Sequence, residues 1–420
     1  IAGPTILIDT DENYGNVSLE SAGGGDAVIV WKEGGNNEED IYSQRIHANH
    51  SNGTIDKLWG NSVPICTANG IQTSPKVTYY SDEYVVVVWE DRRFDNYAIG
   101  GNFINDLGDL TFQVDDLVYT TDASSSTFPR VKATYEGAFV VWLSAADVHY
   151  VQKMKPDDIN VWVSPNSLET GQTQEEARLS ADGSGGIFIT WEDDNSIAVQ
   201  HLNSDGNSSS PTTLSDIDTE QFSPLVRADG NNGAYIVWAD GSLNNNGIGS
   251  LTLQYEYIQT SSGSGFVNGP KEIIYGYGGQ IEKGSTRSLK FDNNNNLLYW
   301  QDYRNGVNKP QTYGSFGGET ENFETVQLLS EYPHQKAPQI VRAGANTLFM
   351  GFSNQDYKVY FQRLNNNLNP IGEAAPVNDT GNEQTSMESP PFLFSNGNGD
   401  VYYSYSEVGD IYLQKYNTTG

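Results

Sequence analysis

Acidic residues recur directly after a series of aromatics along this chain. In order they are Glu33, then Glu90, Asp91, Arg92 and Arg93, then Asp193 and Asp194, then Asp240, then Asp302, Tyr303 and Arg304. Carboxylates in short loops are hard oxygen donors of the kind that Ca2+ takes. Beside Arg and Tyr they also make a directional surface for a sugar or another polar polymer. Their plainest use is to bond turn amides and otherwise face water. Tyr303, Arg304, Tyr332 and His334 together supply a base and a charge stabiliser, the pair that proton abstraction beside a carboxylate requires, so lyase chemistry is the catalytic alternative. Asp9, Asp11 and Asn13 have the alternating oxygen spacing of a calcium loop, although Gly15 comes one residue late for the Asp-x-Asp-x-Asp-Gly form.

Other chemistries lack their residues. No Gly-x-Ser-x-Gly elbow supports Ser-His-Asp catalysis, and no Ser-x-Asp-x-Gly-x-Thr-Trp box occurs. The five histidines are scattered, and the single cysteine, Cys66, excludes an intramolecular disulfide and a Cys-based zinc site. Asp and Glu outnumber Lys and Arg 54 to 23, for a formal charge of -31 over 420 residues. That field repels phosphate backbones and anionic bilayers, which argues against nucleic acid as a partner. No apolar run approaches the roughly 20 residues that span a bilayer, so direct membrane insertion is not expected. Ile1 in place of an initiator Met fits an exported chain whose signal peptide has been removed, and an extracellular or cell-surface location is the expectation.

The acidic signature must be positioned by elements that recur with it. Eight β-rich runs end in an aromatic about every 50 residues: AVIVW at Trp31, VVVVW at Trp89, AFVVW at Trp142, IFITW at Trp191, AYIVW at Trp238, NLLYW at Trp300, TLFMGF at Phe352 and VYYSY at Tyr405. Upstream of each lies another strand signal, commonly with Pro (Pro75, Pro129, Pro224, Pro338, Pro391; Ala177 once) and with Gln three residues earlier (Gln72, Gln174, Gln221, Gln335). Downstream come alternating third strands such as IYSQRI, HYVQKM, IAVQHL, VYFQRL and IYLQKY, then short fourth strands such as VPICT, LVYTT, VWVS, EIIYG and VQLLS. The aromatics themselves are expected to fill the wedges between neighbouring units.

Four strands per unit and a period of this length suit a propeller blade. TILID at residues 5–9 reads as a fourth strand with no unit before it, and the eighth unit stops after its third strand. The two defects complement each other. The expectation is an all-β, eight-bladed propeller of four-stranded antiparallel blades, one domain over residues 1–420, whose residues 1–10 complete the last blade and close the ring.

The motifs Gln-x-x-Pro, Val-Val-Trp-Glu-Asp-x-Arg and Ile-Tyr-x-Gln-Arg-Ile, together with the Trp-Gly and Val-x-Ile-Cys stretch, resemble the propeller repeats of large exported surface proteins of Bacteroidetes and related bacteria. Residues 58–77 and 85–97 carry the likeness most fully. The resemblance implies the fold, export by the type IX route and a separate C-terminal sorting domain, which is not visible in this sequence. It implies no single activity. Loops that vary over strands that repeat suit a rigid scaffold presenting a binding surface. The expectation is a non-enzymatic module that binds a glycan or an envelope or extracellular protein through the face bearing Glu33, Glu90 to Arg93, Asp193, Asp194, Asp240 and Asp302 to Arg304. No cofactor is required, and calcium is the ion that the acidic rim suits.

Overall fold

The computed structural model describes residues 5–8, 14–22, 26–35, 38–48, 55–93, 96–113, 117–119, 126–168, 177–194, 196–214, 220–231, 233–243, 248–259, 265–266, 271–272, 280–292, 295–302, 311–317, 324–329, 335–354, 358–377, 392–395, 400–407 and 410–417. Among these residues every regular element is a strand, and no helix is long and apolar enough to cross a membrane.

Each repeat in the sequence becomes an antiparallel meander. The second unit pairs Gln72–Ser81, Tyr84–Asp91, Ala98–Asn105 and Leu117–Tyr119 in chain order, and the third, fourth and seventh follow the same plan. In the first, both Ile55–Lys57 and Val63–Cys66 lie beside Glu38–Ala48. The fifth and sixth units share one sheet, because Ile248, Gly249 and Ser250 at the start of a long strand pair with Glu282, Ile281 and Gln280. In the last, Thr5–Ile8 lies beside Asp410–Asn417, with Thr5 opposite Leu413 and Ile6 opposite Tyr412, followed by Asp400–Glu407 and Phe392–Ser395. One strand from the start of the sequence and three from its end thus make a single four-stranded sheet.

Among the described residues one fourth strand differs from expectation; of EIIYG (272–276) only Glu272 is described, and the rest lies outside the described residues. VWVS (161–164) is a bend, and the ladder partner of His149–Met154 is Asn166–Ser167. The Gln152 side chain explains this: its Nε2 donates to the Trp162 carbonyl at 2.9 Å, and its Oε1 accepts from the Trp162 amide at 3.2 Å. A side-chain amide has taken the ladder's place. The same device recurs, with Gln44 holding Trp59 and Asn102 holding Phe112 through both backbone groups, while Gln200 donates to the Ser209 carbonyl. The third-strand Gln legible in the repeat therefore ties down the outer loop.

The second strands are buried on both faces because sheets pack face to face. Trp31, Trp89, Trp142, Trp191, Trp238 and Trp300 are all fully buried. Trp89 packs with Val28 and Val30 of the preceding sheet, Trp142 with Val86 and Val88, and Trp191 with Phe139 and Val141. Tyr402, from the last sheet, joins Ala27, Ile29 and Trp31 of the first. Each buried indole contributes roughly 4–6 kcal/mol of gross hydrophobic stabilisation. Their cross-strand neighbours on the third strand are matched to them. Trp31 stacks on Tyr42, Trp142 on Tyr150 and Trp300 on Tyr313, whereas Trp89 faces Gly100. A Cβ on Gly100 would meet Trp89 Cε2 at 2.1 Å, so the glycine is required by that close approach.

Pro75, Pro129 and Pro224 mark a β-bulge in the first strand. The residue before each (Ser74, Phe128, Ser223) has a left-handed φ of 53–54°, and the ladder register shifts there. Pro lacks the donor that an unbroken ladder would need, so it falls where pairing is interrupted.

Candidate ligand-binding face

The second strand ends in its aromatic and the chain turns into the third. This puts the rim acids opposite the first residues of the first strand: Glu33 faces Tyr14, Asp91 faces Gln72, Asp240 faces Gln221 and Asp302 faces Ile281. The acid two residues beyond the aromatic has a local task. Trp31 Nε1 donates to Glu33 Oε2 at 3.2 Å, and Trp89 Nε1 donates to Asp91 Oδ2 at 3.5 Å. In the fourth unit the acid one residue beyond acts between sheets, as Glu192 Oε1 accepts the Ser223 amide of the next bulge at 2.6 Å.

Glu90 to Arg93 is the most developed cluster. Asp91 is fully buried and takes Arg93 in a two-pronged pair, Nε to Oδ1 at 2.9 Å and a terminal nitrogen to Oδ2 at 2.7 Å, with the Arg93 amide also on Oδ1. Gly70, with φ of 108°, lets the crossing loop run against that arginine. Glu90 is buried too, and Arg92 Nε donates to it at 2.6 Å. The Arg92 side chain is 37% exposed, and its guanidinium carbon lies 4.7 Å from the centroid of the Tyr97 ring. Of the four residues, Arg92 is the one presented outward, fixed from below by Glu90 and from the side by Tyr97.

Asp193 and Asp240 are half-buried, and Asp194 is exposed with φ of 60°. Asp302 is described by its backbone alone. Tyr303, Arg304, Tyr332 and His334, and the loop residues Asp9, Asp11 and Asn13, lie outside the described residues. Among the described residues no three His, Cys, Asp or Glu side chains converge as metal ligands would.

At the opposite ends of the strands, acidic hairpins repeat. Asp182 accepts the Ser184 and Gly186 amides, the Ser184 hydroxyl and His201 Nε2, all within 2.6–2.9 Å. Asp229 does the same with the Asn231 and Gly233 amides and the Tyr257 hydroxyl. Burial works to raise the Asp182 carboxyl, but the hydrogen bonds outweigh it and hold the group at about 2.

A group of cations has no counterpart in the sequence expectations. Lys76, Arg130 and Arg178 each follow the Pro75, Pro129 or Ala177 position on neighbouring first strands. Burial pushes Lys76 down to about 8, with Arg130 and Arg178 adding to the shift. Burial and Arg178 push Arg130 down to about 9. Alignment of the repeats on Pro was the available signal, since Pro-Lys-Val, Pro-Arg-Val and Ala-Arg-Leu then superimpose.

The buried meanders and their packing define the class: this is a β-propeller. No protein-family model and no curated sequence matches the chain. Among solved structures it is similar to the BP39L lectin from Burkholderia pseudomallei, with a TM-score of 0.51 and 10% identity over 85% of this chain and 98% of that one. It is similar also to the WD40 domain of SCAP from fission yeast, with a TM-score of 0.52 and 7% identity over 99% and 98%. A third is the polysaccharide lyase Uly1, with a TM-score of 0.50 and 10% identity over 95% and 90%. At these identities the likeness establishes the fold and nothing finer.

Proposed function

We propose that the chain is a single eight-bladed propeller acting outside the cell or at its surface as a non-enzymatic module that binds a glycan. The observation that carries this reading is Arg92, a guanidinium locked between a buried carboxylate and an aromatic face yet open to solvent. Such a donor loses little freedom on binding and matches sugar hydroxyls or carboxylates in direction. Two contacts support a closed ring of eight blades: Thr5–Ile8 on Asp410–Asn417, and Tyr402 among Ala27, Ile29 and Trp31. The resemblance to exported Bacteroidetes propellers enters this proposal for location and type IX export alone. The lectin and the lyase set the ligand class to test first.

A glycan array probed with the whole chain is expected to give binding that weakens about tenfold in Arg92→Lys. That variant keeps a cation beside Glu90 and loses the planar stack on Tyr97, so its melting temperature should hardly move. Absence of any glycan signal would remove the reading. Release of unsaturated products from acidic polysaccharides, abolished by His334→Ala, would replace it with the lyase alternative.

The reading needs no cofactor. Calcium at Asp9, Asp11 and Asn13 is a separate part of the proposal, tested by thermal melts in EDTA and in millimolar calcium. A rise of a few degrees with calcium, lost in Asp11→Asn, supports the ion; superimposable melts eliminate it.

A further inference from the structure

The repeat supplies its own control, because a position that departs from its counterparts answers to some demand other than folding. In the first, second and fifth units the bulge residue of the first strand is small and polar: Asn16, Ser74 and Ser223, each with a left-handed φ. The third unit carries Phe128 there. It holds the same φ, 53°, although a bulky side chain makes that conformation costly, and it is 55% exposed. Two residues earlier, Ser126 takes the place that Gln221 and Gln335 have in their units. Gln221 accepts the Ile197 amide of the unit before it, and Gln335 accepts the Thr312 amide in the same way. Ser126 is too short for that bond, and its hydroxyl is fully buried with no hydrogen-bond partner. Both departures cost stability, and both fall at one boundary, between the second and third units.

That boundary is also where Arg92 is presented. The Ser126 amide donates to the Tyr97 carbonyl at 2.8 Å, and the Tyr97 ring is the one beneath the Arg92 guanidinium. A second tie comes from the repeat itself. In the fourth unit the acid one residue beyond the Trp reaches the amide of the next unit's bulge residue, Glu192 to Ser223 at 2.6 Å. The same two positions at this boundary are Glu90 and Phe128, and Glu90 is the carboxylate that holds Arg92. Phe128 and Arg92 therefore border one site, an exposed ring on one unit and a fixed guanidinium on the other.

The charge of the site says what it takes. Arg92 is paired with Glu90 and Arg93 with Asp91, so these four charges cancel, and the chain as a whole carries -31. Such a field does not draw in an anion. Glu90 takes Nε and one terminal nitrogen of Arg92, which leaves terminal N–H groups as a fork that donates to neighbouring hydroxyls.

We propose that Phe128 and Arg92 form a subsite for an uncharged sugar ring, with the phenyl ring stacked on the apolar face of the sugar and the guanidinium donating to its hydroxyls. The inference rests on the glycan reading above and narrows it to neutral glycans.

The test is an array of neutral gluco-, manno- and xylo-oligosaccharides beside oligogalacturonates, probed with the whole chain, followed by calorimetric titration with the neutral oligosaccharide that binds best. Phe128→Ser installs the residue that the second and fifth units use, so it should melt no lower than the parent while binding weakens about tenfold or more. Phe128→Tyr should keep the affinity within about threefold, because the ring is retained. Raising NaCl from about 0.05 to about 0.5 M should leave the neutral ligand's affinity unchanged. If Phe128→Ser does not fold, Phe128→Leu, which keeps the bulk without the ring, carries the same expectation. Neutral-glycan binding that survives loss of the ring would overturn the subsite, as would hits confined to oligogalacturonates; in either case the glycan reading itself would stand. Silence across the whole array would remove both.

Discussion

Deleting residues 1–10 is expected to lower the melting temperature by about 5 °C or more and to make the protein prone to self-association. Thr5–Ile8 is the fourth strand of the sheet that ends the sequence, paired through Thr5 with Leu413, Ile6 with Tyr412 and Ile8 with Ile411. Its loss removes those ladder bonds, each worth about 1 kcal/mol net. It also leaves Asp410–Asn417 as an exposed edge with unpaired backbone groups. A loss of a few kcal/mol in so large a unit shifts the midpoint by several degrees. A peptide of residues 1–10 added in trans should restore part of the shift. Scanning calorimetry with light scattering would measure both effects; a truncated chain that melts like the parent and stays monodisperse would show that the strand contributes nothing to closure.

The second large effect lies at the opposite face, in the hairpin around Asp182. Asp182→Ala is expected to cost about 4 kcal/mol. The side chain is 1% exposed and receives four hydrogen bonds, and truncation would leave the buried Gly186 amide and the Ser184 amide and hydroxyl without an acceptor. The Gly186 amide is buried and bears most of that cost, whereas the Ser184 groups lie at the exposed tip of the hairpin, where water can serve them. Asp182→Asn should cost less, because one oxygen still serves the two amides. The pH dependence has a definite sign. The folded carboxyl titrates at about 2, below the 3.8 of an ordinary aspartate, so the unfolded chain takes up the proton first on acidification. The stability from this group is complete above about pH 4 and is lost as the pH falls towards 2, amounting to about 2 kcal/mol. Urea melts at pH 2.5, 4 and 6 should show that increment in the parent and its absence in Asp182→Ala. An unchanged acid slope in the variant would assign the loss to other carboxylates.

Much of the architecture was legible because it rests on local, repeated chemistry. Runs such as Val85 to Trp89 read as fully buried strands because they are. The Pro offsets mark the bulges because a residue without a donor tolerates a break in pairing. The pairing of residues 5–8 with the last third strand was legible from two incomplete units, an inference about edges. VWVS was misread as a ladder strand because pattern alone cannot show that Gln152 would claim the Trp162 backbone.

The candidate sites divide along the same line. By itself, the sequence determined which residues reach the strand ends and that acids would crowd there, since position along a β-meander follows from period and turn. Only the tertiary structure decided what those residues do. It buried Asp91 under Arg93 and Glu90 under Arg92, leaving one guanidinium outward. It also brought Lys76, Arg130 and Arg178, about 50 residues apart in turn, to one level on neighbouring strands. The physical reason is range. Strand formation and turn chemistry act over a few residues, whereas burial and the interaction of charges depend on which sheets pack together, and that is a property of the tertiary contacts.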